Sequence, residues 1–176
     1  HPYRNIRGRF QDGTVGAGLT KSISASAAYM GVAFADVDHD GDTDIYVTCL
    51  MDMNEMAPKT GVSFPNDFRG QPNLLFRNNS NATFTEVAMQ ARADGGGYRT
   101  RNVWFGDVND DRAVDFLLFD AENSPATFLN NKDGTFSPAS LTPANLPAAL
   151  PFGESRAYGD FNGDGAVDEL ILPNGV

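Results

Sequence analysis

The chain has 176 residues, enough for one domain with a sizeable core, and 41% of them are hydrophobic. A formal net charge of −10 argues against nucleic acid and anionic membrane as partners, and 18 glycines with 10 prolines favour turns over long helices. The single cysteine, Cys49, has no internal partner for a disulfide, and no stretch resembles a signal peptide or a membrane span.

In chain order, Tyr3-Arg4-Asn5, Gly8-Arg9-Phe10 and Thr14 to Leu19 read as an outer hairpin over 1–19. Gly31-Val32-Ala33-Phe34 is a short strand-like run leading into Asp36-Val37-Asp38-His39-Asp40-Gly41-Asp42-Thr43-Asp44. Carboxylates at alternate positions repel one another unless a positive charge compensates them. A Ca²⁺ ion, which takes six to eight oxygen ligands, does so. Asp36, Asp38 and Asp40, at positions 1, 3 and 5, point three carboxylates inward. Gly41 at position 6 permits a sharp turn, position 7 can offer a backbone carbonyl, and Asp44 at position 9 closes the cage. Ile45-Tyr46-Val47-Thr48 leaves as a second strand, and Cys49 behind it reads as a small buried apolar residue. An insertion rich in Met, Asn, Pro and Gly follows over 52–71. Asn73 to Asn79 and Ala82 to Val87 then form a hairpin by their turn chemistry, completing a first repeat over 31–91.

The pattern recurs. Asn102-Val103-Trp104-Phe105 enters Asp107-Val108-Asn109-Asp110-Asp111-Arg112-Ala113-Val114-Asp115, and Phe116-Leu117-Leu118-Phe119 leaves it. Arg112 stands where the turn asks for glycine, which bears on the turn more than on the oxygens. Thr127 to Asn131 and Asp133 to Phe136 supply the next hairpin, in a second repeat over 102–140. Ser155-Arg156-Ala157-Tyr158 enters Asp160-Phe161-Asn162-Gly163-Asp164-Gly165-Ala166-Val167-Asp168, and Leu170-Ile171-Leu172 leaves it, a half repeat over 155–176. Loops starting at 36, 107 and 160 point to repeated units. They hold five, four and three of the 23 acidic residues, so the acidity reads as metal ligation. An EF-hand or dockerin loop would need a carboxylate at position 12 and flanking helices. Position 12 is Val47, Leu118 and Ile171, so each loop joins two strands.

With F-A-D-V-D-H-D-G-D-T-D-I-Y-V at 34–47, P-N-L-L-F-R-N-N at 72–79 with F-T-E-V at 84–87, and Y-G-D-F-N-G-D-G-A-V-D-E-L at 158–170, the chain resembles the FG-GAP/VCBS repeat family. These are calcium-loop β-propeller repeats also found in integrin α-subunits. The likeness covers nearly everything outside 52–71 and 141–153. It implies an all-β fold of four-stranded antiparallel β-propeller blades, about three in this chain, with Ca²⁺ in the hairpin loops. It implies as ligands Asp36, Asp38, Asp40 and Asp44, then Asp107, Asn109, Asp111 and Asp115, then Asp160, Asn162, Asp164 and Asp168. Asp42, Ala113 and Ala166 would give backbone oxygens, for about three Ca²⁺ per chain.

Propellers carry roughly four to eight blades, so two full repeats and two complementary halves leave open edges. The chain is then a piece of a longer propeller, or copies associate through the half-blades at its termini. Two chains would make six blades in a closed ring, and an arrangement that does not close would make a filament. No nucleophile-and-base constellation stands out: His1 is terminal, His39 sits at position 4 of a loop, and Cys49 has no histidine placed to activate it. The strand-borne aromatics read as core. The 52–71 insertion and the turn Asp94-Gly95-Gly96-Gly97-Tyr98-Arg99 are the ligand candidates, because loops carry recognition on rigid scaffolds. The expected function is an extracellular, non-catalytic calcium-binding module for adhesion or for binding carbohydrate or protein. A structural subunit of a ring or filament is the alternative, and a propeller enzyme ranks third.

Overall fold

The β-branched and aromatic runs on either side of each acidic loop form antiparallel strands, and no helix occurs among the described residues. The computed structural model describes residues 3–20, 22–54, 68–120, 125–140, 155–159, 161 and 168–172. Strands β1 (Tyr3–Ile6) and β2 (Arg9–Asp12) form a hairpin. Its two turn residues, Arg7 and Gly8, have φ of 52° and 81°, the sense of turn that matches strand twist. A four-stranded sheet follows: β3 (Ala27–Ala35), β4 (Asp44–Asp52), β5 (Leu74–Asn78) and β6 (Phe84–Glu86), in spatial order β3-β4-β5-β6. The second is built alike, from β7 (Thr100–Gly106), β8 (Asp115–Asp120), β9 (Ala126–Asn130) and β10 (Phe136–Ala139). A pair, β11 (Ser155–Gly159) and β12 (Asp168–Leu172), ends the described chain.

Strands β3 and β7 begin at Ala27 and Thr100, before the apolar runs that mark them in sequence. The register slips between Ala28 and Gly31 and between Thr100 and Asn102. Each slip breaks the two-residue alternation from which a strand is read.

The units are joined by the same hydrogen bonds each time. Behind β6, Ala91 N–H bonds Val87 O at 2.8 Å and Arg92 N–H bonds Met89 O at 3.2 Å, making a tight turn. Ala91 O then accepts the N–H of Phe136 in the next sheet at 2.8 Å. Behind β2, Ala17 N–H bonds Gly13 O at 2.9 Å, Gly18 N–H bonds Val15 O at 3.3 Å, and Ala17 O accepts Phe84 N–H at 2.9 Å. Even the turn entry repeats: Thr14 N–H bonds Asp12 Oδ1 and Ala88 N–H bonds Glu86 Oε1, both at 2.8 Å. Thus β1–β2 stand to the first sheet as β5–β6 stand to the second.

Between the two sheets lies the main core. Val103, Phe116, Leu118 and Phe128 pack with Tyr46, Leu75 and the partly buried Ala33 and Ala35. Phe116 stacks on Phe128 at 4.7 Å and tilts against Tyr46 at 5.4 Å. Full burial of each large apolar side chain contributes on the order of 1.5–3 kcal/mol. Tyr46 spends its hydroxyl on Ala93 O at 2.5 Å, so the ring is buried without an unpaired polar atom.

Candidate metal centre

The first loop joins β3 to β4 and is wound by its own carboxylates. Asp36 accepts Asp40 N–H on Oδ1 at 3.2 Å and Gly41 N–H on Oδ2 at 3.0 Å, and Asp40 Oδ1 accepts Asp42 N–H at 2.9 Å. His39 and Gly41 take φ of 60° and 90° to make the turn. One oxygen each from Asp36, Asp38 and Asp40 lie within 4.8 Å of one another. Asp38 Oδ1 is buried with no hydrogen-bond partner among the described residues. A buried carboxylate oxygen without a partner is costly, and here it belongs to a knot of like charges. Hard oxygen donors in this number suit Ca²⁺ rather than a soft-ligand metal. The residues present fit that ion.

Asp44 is almost fully buried and serves the fold directly. Its Oδ2 accepts Val37 N–H at 2.9 Å and its Oδ1 accepts Asn78 N–H from β5 at 2.8 Å. Each oxygen keeps a second lone pair that a cation can use. Burial pushes this carboxyl above the ordinary carboxylate range, Asp38 and Asp40 add to the rise, and the two amides oppose it. Asp42 turns its carboxylate to Ser80 Oγ in the β5–β6 turn.

The second loop, between β7 and β8, repeats this arrangement. Asp107 accepts Asp111 N–H at 3.0 Å and Arg112 N–H at 2.7 Å, and Asp111 Oδ1 accepts Ala113 N–H at 2.8 Å. Asp115 accepts Val108 N–H at 3.0 Å and Asn130 N–H at 2.8 Å, and burial raises its pKa as it does for Asp44. Arg112 takes φ of 68°, the conformation of Gly41, so the turn is made without glycine. Asn109 at position 3 bonds Asp111 through its amide at 3.1 Å. Lys132 Nζ reaches Asp111 O at 2.7 Å and its carboxylate at 3.4 Å, where the first loop meets neutral Ser80.

Of the third loop, Phe161 and Asp168 are described, and Phe161 N–H bonds Asp168 Oδ2 at 2.9 Å as in the other two. Asp160, Asn162, Asp164 and Ala166 lie outside the described residues, as do His1, residues 55–67 of the insertion and all of 141–153. The glycine-rich turn at 94–99 is held in place: Asp94 O accepts Asn73 N–H at 2.9 Å and Arg99 N–H bonds Asp120 at 2.7 Å.

The sequence reading passed over Asn78 and Asn130. Each sends its backbone N–H to the position-9 aspartate and its side-chain amide to the same loop, at Thr43 O (3.2 Å) and Val114 O (3.2 Å). Asn130 also reaches across to Val37 O in the first loop at 2.9 Å. The signal was present as the Asn-Asn pairs 78–79 and 130–131 at the ends of β5 and β9, masked by unequal spacing from their loops.

Antiparallel four-stranded sheets in series, each with an oxygen-rich loop between its first two strands, define an all-β repeat protein. The particular repeat follows from comparison. Residues 107–171, a little over a third of the chain, match the family model of the FG-GAP-like repeat. The match runs from the first position of the second loop into β12 and suggests a β-propeller-like module. No curated protein matches the chain.

Proposed function

We infer that the chain is a calcium-loaded, non-catalytic β-propeller module that works outside the cell in adhesion or in binding carbohydrate or protein. The observation that carries the calcium reading is the approach of Asp36, Asp38 and Asp40 within 4.8 Å, with Asp38 Oδ1 buried and unpartnered among the described residues. The extracellular part of the reading rests on calcium supply, since modules that bind at roughly 10⁻⁴–10⁻³ M stay loaded only where the ion is plentiful. A non-catalytic role fits Cys49, which is fully buried with its thiol pushed up to about 11 by that burial. The Asp160–Asp168 loop is taken as a further site by its spacing.

Calorimetric titration tests the metal reading. Ca²⁺ should bind more tightly than Mg²⁺, and Asp38→Asn should weaken one site by about tenfold or more. Absence of binding heat with Ca²⁺ at millimolar concentration would overturn the reading. A glycan and protein array probed in saturating Ca²⁺ tests the recognition role separately, and an array without any calcium-dependent signal counts against adhesion.

A further inference from the structure

The turn between β5 and β6 holds two neighbouring triplets, Asn78-Asn79-Ser80 and Asn81-Ala82-Thr83. Each places a hydroxyl two residues after an asparagine, with no proline between. That pattern is the acceptor of N-linked oligosaccharides in chains that enter a secretory route. We propose that Asn81 carries an N-linked oligosaccharide and that Asn78 does not. The proposal rests on the extracellular reading above, because transfer takes place on that route.

Asn81 is exposed in the turn, between Ser80 and Ala82 at φ of 59° and 66°. Its Oδ1 accepts the Thr83 N–H at 3.0 Å and the Thr83 hydroxyl at 2.6 Å. Among the described residues no hydrogen bond uses its Nδ2. The turn between β9 and β10 shows that the fold has no need of that nitrogen. There Asp133 Oδ1 accepts the Thr135 N–H at 3.0 Å and the Thr135 hydroxyl at 2.6 Å, so a side chain with oxygens alone winds the same turn. A substituted amide keeps its Oδ1, and both bonds from Thr83 survive the modification. Beside the turn, a cleft of roughly 300 Å³ lined in part by Asn81, Arg4 and Gln11 has room for a sugar ring among polar groups.

Asn78 is in the opposite position. Its Nδ2 donates to Thr43 O at 3.2 Å, its Oδ1 accepts the Ser80 N–H at 3.1 Å, and its backbone N–H goes to Asp44. Ser80, the hydroxyl of its triplet, is itself bonded to Asp42. An oligosaccharide on Asn78 would stand between the first acidic loop and the turn that braces it, whereas one on Asn81 leaves every described bond in place. The transfer itself is ordinary group chemistry. Asn81 Nδ2 forms a bond to the anomeric carbon of an oligosaccharide carried on a polyprenyl diphosphate, and the bond from that carbon to the diphosphate oxygen breaks. The amide gives up one proton to a base of the transferase, and the polyprenyl diphosphate leaves with the electron pair.

The test is to express all 176 residues in animal cells behind a cleavable secretory leader and to read the mass of the chain from medium and cells, before and after an amide-cleaving glycosidase. The wild type should carry one oligosaccharide, placed on Asn81 by peptide mapping. Asn81→Asp should carry none, and Ser80→Ala, which removes the Asn78 triplet alone, should keep the one. Because Asp133 already winds this turn, Asn81→Asp should melt in Ca²⁺ where the wild-type chain made in a cytosol melts, which separates a lost acceptor from a lost fold. A wild-type chain without an oligosaccharide, one modified at Asn78, or an Asn81→Asp chain that is still modified would overturn the proposal. The leader supplies the route, so these results stand whether or not the chain is extracellular by nature; failure of that reading shows instead on the array probed in Ca²⁺.

Discussion

Arg112 shows how one residue separates turn from ligand. It occupies the left-handed region at φ 68° where the first loop uses Gly41, and a side chain there costs roughly 1–2 kcal/mol. Arg112→Gly should therefore stabilise the protein by about 1 kcal/mol, read as a higher urea midpoint at unchanged slope. An unchanged or lower midpoint would mean that Arg112 has contacts that outweigh its backbone. Lys132 makes a different point. Its ammonium lies on Asp111 where Ser80 stands at the first loop, and it competes for the oxygens that a cation would use. Lys132→Ser should raise the calcium affinity of the second loop several-fold, while the first loop, titrated in the same calorimetric experiment, should not change. Cys49 should resist thiol reagents in the native protein at pH 8, well below the value of about 11 to which burial pushes it, and react at once when unfolded. Equal rates in the two states would contradict its burial.

At the scale of strands and loops, the position-9 aspartate and the asparagine that ends the third strand tie the first and second loops each to its own sheet. Asn130 goes further, bridging Val37 O and Val114 O while 5% exposed. Asn130→Ala leaves two carbonyls short of a donor and should cost about 2–3 kcal/mol in chemical denaturation, more than Asn78→Ala at its less buried site. Equal losses would show that the link between the sheets contributes little. The acidic loops and the strands beside them were legible because apolar runs and alternate oxygens are local signals. The turns at 13–18 and 87–92 were not. Their hydrogen bonds close onto the next sheet, at Phe84 and Phe136, and no periodicity within them announces a partner so far along the chain. The early starts of β3 and β7 were hidden for another reason, since bulges erase the alternation that defines a strand. Loop geometry was partly written in sequence as well. Positions 4 and 6 have positive φ in both described loops, and the third loop carries Gly163 and Gly165 at those positions.

Among the described residues, the two four-stranded sheets stack through one core, and a carboxylate-rich loop connects the first two strands of each. The stacking needs no metal: Phe116, Tyr46, Phe128 and Leu118 supply ordinary apolar burial. The loops are another matter, because Asp36, Asp38 and Asp40 converge without a described positive partner at Asp38 Oδ1. Calcium bound as proposed would be linked to folding, and each loop saturated at about a hundred times its dissociation constant would contribute roughly 2.7 kcal/mol. The direct measurement is the thermal melting temperature in excess Ca²⁺ and in chelator, for the wild-type chain and for Asp38→Asn. The account predicts a rise of roughly 5–10 °C per saturated loop for the wild type, and a smaller rise for the variant. Identical melting in Ca²⁺ and in chelator would contradict it.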